Sequence, residues 1–350
     1  MSFLLYGCYG YTGQLIAKEA LKQGLKPILA GRNAEKTISF AQSLGLDYKV
    51  FSLENKDETL SALRNCEVVL HAAGPFSKTS RQMVDACMQT GTHYLDITGE
   101  ISVFESLAAR DAEAKNAGVM LLPGVGFDVV PSDCLALQLK QALPDATTLR
   151  LFFKFMGGGV SQGTAKTIAE GMGLGSIIRK NGKFVSIKEG SLVLKRDFGK
   201  GLQNSVTTPW GDVSTAWYST GIPNIEVYFQ FPDSMIRGLK WSSYLGWILQ
   251  SEWVQKILQK RIEKGQKGPS EDELKTGKSL IIGEAENASG KIVKAILKGP
   301  QGYYLTAVAA VSATKKVLEK NVTPGYKTPS MQFGAGFAEE TGLCSITFEN

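Results

Sequence analysis

The sequence predicts an α/β protein, an N-terminal doubly wound parallel sheet followed by a second, α+β domain on a mixed sheet. Three observations carry that reading. Up to Pro131, short apolar runs alternate with stretches of helical periodicity, the pattern of β-α-β units with right-handed crossovers. The glycine-rich and polar motifs of this half follow the apolar runs, so they fall on the sheet edge where ligands of such folds lie. Beyond Pro131, apolar runs succeed one another with few helices between them, which suits a mixed or antiparallel sheet.

Composition sets the bounds. A chain of 350 residues, 43% hydrophobic and 21% charged, suits two soluble globular domains with sizeable cores. The net charge of +6 is spread along the chain. It suits an anionic cofactor or an acidic membrane surface rather than sequence-specific nucleic-acid reading. Five scattered cysteines without a C-x-x-C pair favour reduced thiols, and two histidines without paired spacing support no metal site. The first apolar run is too short for a signal peptide, and no window reaches the length of a membrane span, so a cytoplasmic protein is expected.

Phe3-Leu4-Leu5-Tyr6 reads as the first strand, and Leu15, Ile16, Ala20 and Leu21 as one face of the first helix. Between them runs Gly7-Cys8-Tyr9-Gly10-Tyr11-Thr12-Gly13, a G-x-x-G-x-x-G turn in strand–turn–helix context. Such a turn is an anion site: glycine admits a pyrophosphate, and the helix N-terminus offers backbone N–H groups and a positive dipole end. The second strand, Pro27–Ala30, ends at Gly31-Arg32-Asn33. An NAD site places an acidic residue about 20 residues beyond the glycines; Arg32 stands there instead, and a guanidinium suits a 2′-phosphate. NADP(H) is therefore the expected cofactor, held by Gly7, Tyr9, Gly10, Tyr11, Thr12, Gly13, Arg32 and Asn33 in a Rossmann domain. Further strands are expected at Tyr48–Leu53, Val68–Ala72, Tyr94–Ile97 and Val119–Leu122. The fourth leads into Ala73-Gly74-Pro75, which joins the cofactor set.

The runs G-C-Y-G-Y-T-G (7–13), L-A-G-R-N (29–33), A-A-G-P-F (72–76), G-T-H-Y-L-D-I-T-G-E (91–100) and P-G-V-G-F-D-V-V-P-S-D (123–133) resemble the saccharopine dehydrogenase-like oxidoreductases. The nearest branch includes the trans-acting enoyl reductases of lipid assembly. Later segments, residues 210–223 and 328–334, resemble the same group. The resemblance implies an NADP-binding Rossmann domain joined to a mixed-sheet domain; it implies the substrate far less firmly.

In the second half, Ser132 is an N-cap for a connector helix through Ala142. Strands are expected at Thr148–Phe155, Asn204–Thr208 and Ile225–Phe231, and Ser279–Glu284 with Ile292–Leu297 as a hairpin around Asn287–Gly290. Ser161–Lys180 reads as a helix with glycine breaks, Glu263–Thr276 as a surface loop, and Tyr303–Leu318 as a helix expected to pack back between the domains. The expected division is 1–131, completed by 300–350, as the NADP-binding domain, and 132–299 as a substrate and dimerisation domain. All five tryptophans fall between Trp210 and Trp253. Within Met235–Ile262, Trp241, Tyr244, Leu245, Ile248, Trp253, Ile257 and Leu258 share a helical side edged by Lys and Arg. Three readings stay open there: a core or homodimer face, a peripheral membrane helix, and the wall of an apolar substrate channel. A protein-enclosed setting is favoured.

No tyrosine has lysine four residues later, which disfavours a short-chain dehydrogenase mechanism. Thr276-Gly277-Lys278-Ser279 lacks the first glycine and the strand of a phosphate loop. Asp96, Glu100 and Asp128, at strand exits, are the catalytic candidates, with Ser132 and Asp133 nearby; His93 belongs at the opposite edge. The expected activity is NADP(H)-dependent reduction of a C=C, C=N or C=O bond in a small apolar, acyl or lipid-like substrate. The alternatives are a non-enzymatic NADP(H)-binding protein docked on a membrane or partner, and a saccharopine-type imine reductase.

Overall fold

Four consecutive apolar residues, all buried, form β1 (Phe3–Tyr6), the strand at which the order of the first sheet reverses. In the computed structural model, which describes residues 3–171, 173–242 and 246–349, β1 is followed by α1 (Tyr11–Lys22), β2 (Ile28–Gly31), α2 (Ala34–Leu44) and β3 (Tyr48–Val50). Next come α3 (Lys56–Leu63), β4 (Val68–His71), α4 (Phe76–Thr90), β5 (His93–Asp96), α5 (Ile101–Ala108), α6 (Asp111–Asn116) and β6 (Met120–Leu122). The strands lie in the order β6-β5-β4-β1-β2-β3 and all pair in parallel. This is the doubly wound sheet that the alternation predicts, and its switch point lies between β1 and β4.

A second unit begins with α7 (Val130–Ala142), β7 (Ala146–Met156), α8 (Gln162–Gly171), β8 (Ser176–Lys180), β9 (Lys183–Ile187), β10 (Val193–Asp197), β11 (Leu202–Thr207), α9 (Asp212–Thr220) and β12 (Asn224–Gln230). It continues through α10 (Asp233–Ser242), α11 (Gly246–Leu249), α12 (Glu252–Glu263), α13 (Glu271–Thr276), β13 (Lys278–Asn287) and β14 (Ile292–Pro300). The mixed sheet runs β10-β11-β12-β7-β13-β14, with the β8–β9 hairpin attached to β12. Among the described residues, only β7 and β12 pair in parallel within it. Cross-strand ring pairs, Phe152 on Tyr228 at 5.0 Å and Phe153 on Phe229 at 4.9 Å, fasten these two strands. Gly283 of β13 lets α7 lie against the sheet: a Cβ there would stand 2.5 Å from Leu139.

The chain then returns. α14 (Gly302–Leu318) is buried on nearly every side, as an apolar helix without a polar face must be. β15 (Gly325–Tyr326) adds to the open side of β6, α15 (Pro329–Phe333) and α16 (Phe337–Glu340) follow, and β16 (Ser345–Glu349) pairs with β14. One compact unit is therefore Met1–Val130 with Tyr303–Thr341, and the other Pro131–Gly302 with Gly342–Asn350.

Four local expectations are corrected. Residues 342–349, expected with the first domain, close the mixed sheet through β16. The helix expected over Ser161–Lys180 ends at Gly171, Gly173 and Gly175 have positive φ, and Ser176–Lys180 is a strand. The expected loop Glu263–Thr276 contains α13, started by a capping box between Ser270 and Glu273. Finally, Met235–Ile262 is three helices rather than one, and Tyr244 and Leu245 lie outside the described residues. Trp241, Trp247 and Trp253 are 73%, 78% and 63% exposed, against the enclosed setting that the sequence favours.

Candidate functional site

Parallel register places Ala30, Tyr6, His71 and Asp96 side by side at the carboxyl ends of β2, β1, β4 and β5. The loops that follow these four residues form the candidate cofactor site at the switch point.

Gly7 leaves β1 with φ +86°, and a Cβ on it would stand 2.8 Å from the Ala72 carbonyl carbon and 2.9 Å from the Ala73 Cβ. The β1–α1 loop and the Ala73-Gly74-Pro75 loop thus touch, and only glycine fits the junction. Gly13 is tighter still: a Cβ there would meet the Gly7 carbonyl oxygen at 2.3 Å. It lets the first turn of α1 fold back onto the loop. Gly10, with its nearest neighbour at 3.3 Å, has more room. It is the N-cap of α1 and supplies no side-chain cap, and no acidic residue occupies the first turn. The Tyr9 ring lies on Gly31, where a Cβ would come within 2.5 Å, and the Gln14 amide donates to the Tyr9 carbonyl at 3.0 Å. Tyr11 meets Tyr303 of α14 edge to face at 5.3 Å, and Thr12 is partly exposed.

Beyond β2 the two candidates separate. Arg32 is exposed. The Asn33 side chain is the N-cap of α2, accepting from the Lys36 N–H at 2.9 Å, so its amide oxygen is already committed to the helix.

The Ala73–Pro75 loop is held by residues that the sequence did not single out for it. The Thr79 hydroxyl donates to the Ala73 carbonyl at 2.8 Å, which leaves its oxygen to accept from His71 Nε2 at 2.9 Å. His71 is therefore the Nε2–H tautomer, with Nδ1 buried and without a partner. Burial pushes its pKa down to about 3, so the ring stays neutral, stacked on Tyr6 and edge-on to Phe76. Its place at the end of a buried strand is visible in the sequence; its role as a loop strut needs the fold.

The three catalytic candidates divide by what their carboxylates already do. Asp96 is fully buried and accepts from the Tyr94 hydroxyl at 2.7 Å, the Thr98 N–H at 3.0 Å and the Gly124 N–H at 2.9 Å. Burial raises its carboxyl to about 6 against the pull of those bonds. These three bonds tie the exits of β5 and β6 together. Glu100 is engaged as well. Its two oxygens accept from the Phe76 N–H at 2.7 Å and the Ser77 N–H at 2.9 Å, so it caps the start of α4. Asp128 is different. It is partly exposed, with Oδ2 against Gly99, and burial of the carboxyl alone pushes it up to about 7. His93 sits at the opposite end of β5, where Nδ1 accepts from the Met120 N–H at 3.2 Å. Ser132 and Asp133 lie buried in α7, within the second unit.

These residues fit a dinucleotide phosphate. A tight loop that needs glycine at positions 7 and 13 runs into a helix N-terminus free of carboxylates, and an exposed guanidinium stands at the next strand end.

Comparison with known proteins agrees with this geometry. Residues 3–122 match the family model of the saccharopine dehydrogenase NADP binding domain. A trans-acting enoyl reductase of Mycobacterium leprae is 33% identical over 153 residues, covering 41% of this chain and 37% of the relative. One of Mycobacterium tuberculosis is 31% identical over 183 residues, covering 48% and 44%. The matches thus span less than half the length of those relatives. Among solved structures, the L-Glu-forming saccharopine dehydrogenase of Saccharomyces cerevisiae aligns over 100% of both chains with a TM-score of 0.68 at 11% identity. The homospermidine synthase of Legionella pneumophila, solved with NAD, aligns over 99% of this chain and 91% of its own with a TM-score of 0.64 at 10% identity. These two share the fold. The N-terminal unit is thus similar to a saccharopine dehydrogenase NADP binding domain, and the chain shares the fold of a saccharopine dehydrogenase.

Proposed function

We propose that this chain is an NADP(H)-dependent reductase of a C=C, C=N or C=O bond in an apolar or acyl-type substrate. The observation that carries the reading is the switch point, where the Gly7 and Ala73 loops meet beside a carboxylate-free helix N-terminus. The name of the mycobacterial relatives favours the C=C bond of an enoyl compound within that set. Gly7–Gly13 and Ala73–Pro75 hold the pyrophosphate and the neighbouring ribose, Arg32 takes the 2′-phosphate, and the second unit receives the substrate.

When bound, the reduced nicotinamide supplies the hydride. The chain supplies position and a proton. Asp128 is the donor in this scheme: a carboxyl raised to about 7 is still substantially protonated near neutral pH, which suits a general acid. Its proton goes to the substrate atom that carries the negative charge after reduction. Asp96 and Glu100 act one step back, fixing the loops on which Gly99 and Pro75 stand.

The test is single-turnover oxidation of NADPH with a panel of enoyl, imine and carbonyl compounds bearing long and short acyl chains. Turnover with one bond type, dependent on Asp128, supports the reading. Tight NADPH binding with no turnover across the panel would leave a cofactor-binding protein without this chemistry.

A further inference from the structure

The chain contains two kinds of tryptophan. Trp210 packs between Phe153 and Phe229 at 5.9 and 4.7 Å, and Trp217 lies under the Arg179 guanidinium. Trp241, Trp247 and Trp253 instead stand out on α10, α11 and α12, each more than 60% exposed. An aromatic side chain buries roughly 150–250 Å² when it is enclosed, so three left in water within one short segment mark that segment as an interaction surface.

The outward side of α12 is fixed by what its inner side holds. Gln255 donates to the Ala169 carbonyl of α8 at 2.9 Å, and Glu263 pairs with Lys166 at 2.7 Å. Facing away, at helical spacing, are Trp253, Ile257 and Arg261, with Lys256 and Lys260 on the adjoining row, all exposed. Between residues 233 and 264 there are six Lys or Arg against Asp233, Glu252 and Glu263. Asp233 accepts from the Asn204 amide, Glu263 pairs with Lys166 of α8, and Glu252 shares an exposed pair with Lys256, so the segment keeps a net excess of cations.

We propose that α10–α12 dock on the headgroup layer of an anionic lipid bilayer, with the three indoles seated among the headgroups and the lysine and arginine stems reaching the lipid phosphates. Tryptophan rings and long cationic side chains are the residues suited to that boundary. Charge decides between occupants. A second copy of this chain would bring two cationic faces together, which opposes association, whereas an anionic leaflet complements the face. The contact is peripheral, because no helix among the described residues is long and apolar enough to cross a membrane. None of this depends on the cofactor reading, since these helices lie in the second unit.

The experiment sediments the full chain with phosphatidylcholine vesicles, with and without phosphatidylglycerol, while recording tryptophan emission. Binding and a blue shift are expected only with phosphatidylglycerol present, and added salt should reverse both. Lys256→Gln with Lys260→Gln should weaken vesicle binding about thirtyfold, at about 1 kcal/mol per cation. Trp247→Ala with Trp253→Ala should remove most of the blue shift. Both variants change exposed side chains, and their NADPH affinity and melting curves report that the fold is intact. The proposal is overturned if vesicles bind equally with and without phosphatidylglycerol, or if neither variant changes binding. It is also overturned if the full chain ignores vesicles and forms a dimer that the tryptophan variant dissociates.

Discussion

Asp128 and Arg32 differ in how their charges respond to the surroundings, and each difference can be measured. The Asp128 carboxyl titrates near 7 when folded and near 3.8 when unfolded. Between those values the folded chain keeps a proton that the unfolded chain has released, so this group makes stability fall as pH rises from about 4 to about 7. Asp128→Asn should therefore stabilise the protein above pH 7, by on the order of 2 kcal/mol once partial exposure is discounted. Thermal melts at pH 5 and pH 8 would show a gain at both, clearly larger at the higher pH. The same substitution should lower kcat by about 10²- to 10⁴-fold and remove the loss of rate through pH 7, with NADPH affinity unchanged. Arg32→Ala removes one charge-assisted pair, worth about 1.5–3 kcal/mol, and should weaken NADPH binding about ten- to hundredfold. NADH, which lacks the 2′-phosphate, should bind the variant as it binds the wild type; fluorescence titration of both cofactors checks the difference.

Among the elements, α4 shows how a residue distant in sequence shapes the site. Its first N–H groups have no side-chain partner from Pro75, and Glu100 provides one from the far side of β5. Glu100→Ala should cost about 1.5–3 kcal/mol in a denaturant titration and weaken NADPH binding, because the Ala73–Pro75 loop leads into that helix. Glu100→Gln, which keeps an acceptor, should recover part of both. Such a role is not legible in one dimension: the sequence places Glu100 at a strand exit, but not opposite the start of α4. β1, β2, β4, β5 and β6 were legible as short, mostly apolar runs ended by glycine or a polar turn, and the β13–β14 hairpin because its turn residues are unmistakable. Asn181-Gly182 was an equally plain hairpin signal, with both residues at positive φ between β8 and β9. The helical spacing of Ser161–Gly171, continued too far, concealed it. The three exposed tryptophans were misjudged for a different reason. Apolar spacing reports that a face exists, whereas what covers it depends on elements far away in sequence.

For the whole molecule, the dominant fact is the order in which the chain visits its two units: it leaves the first at Val130, returns at Tyr303 and leaves again after Thr341. What returns is structural, since Thr306 accepts from the Phe127 N–H at 2.9 Å and β15 covers the edge of β6. Residues 1–130 in isolation should accordingly melt without a cooperative transition and bind no NADPH, whereas adding 303–341 as a separate peptide should restore protection of the β6 amides in hydrogen exchange. The same crossing imposes a schedule during synthesis. At about 5–20 residues per second, on the order of ten to forty seconds pass between the emergence of Val130 and that of Thr341. Throughout that interval the nascent parallel sheet carries an uncovered strand edge, a surface that a holdase must shield or a neighbouring ribosome's product can capture.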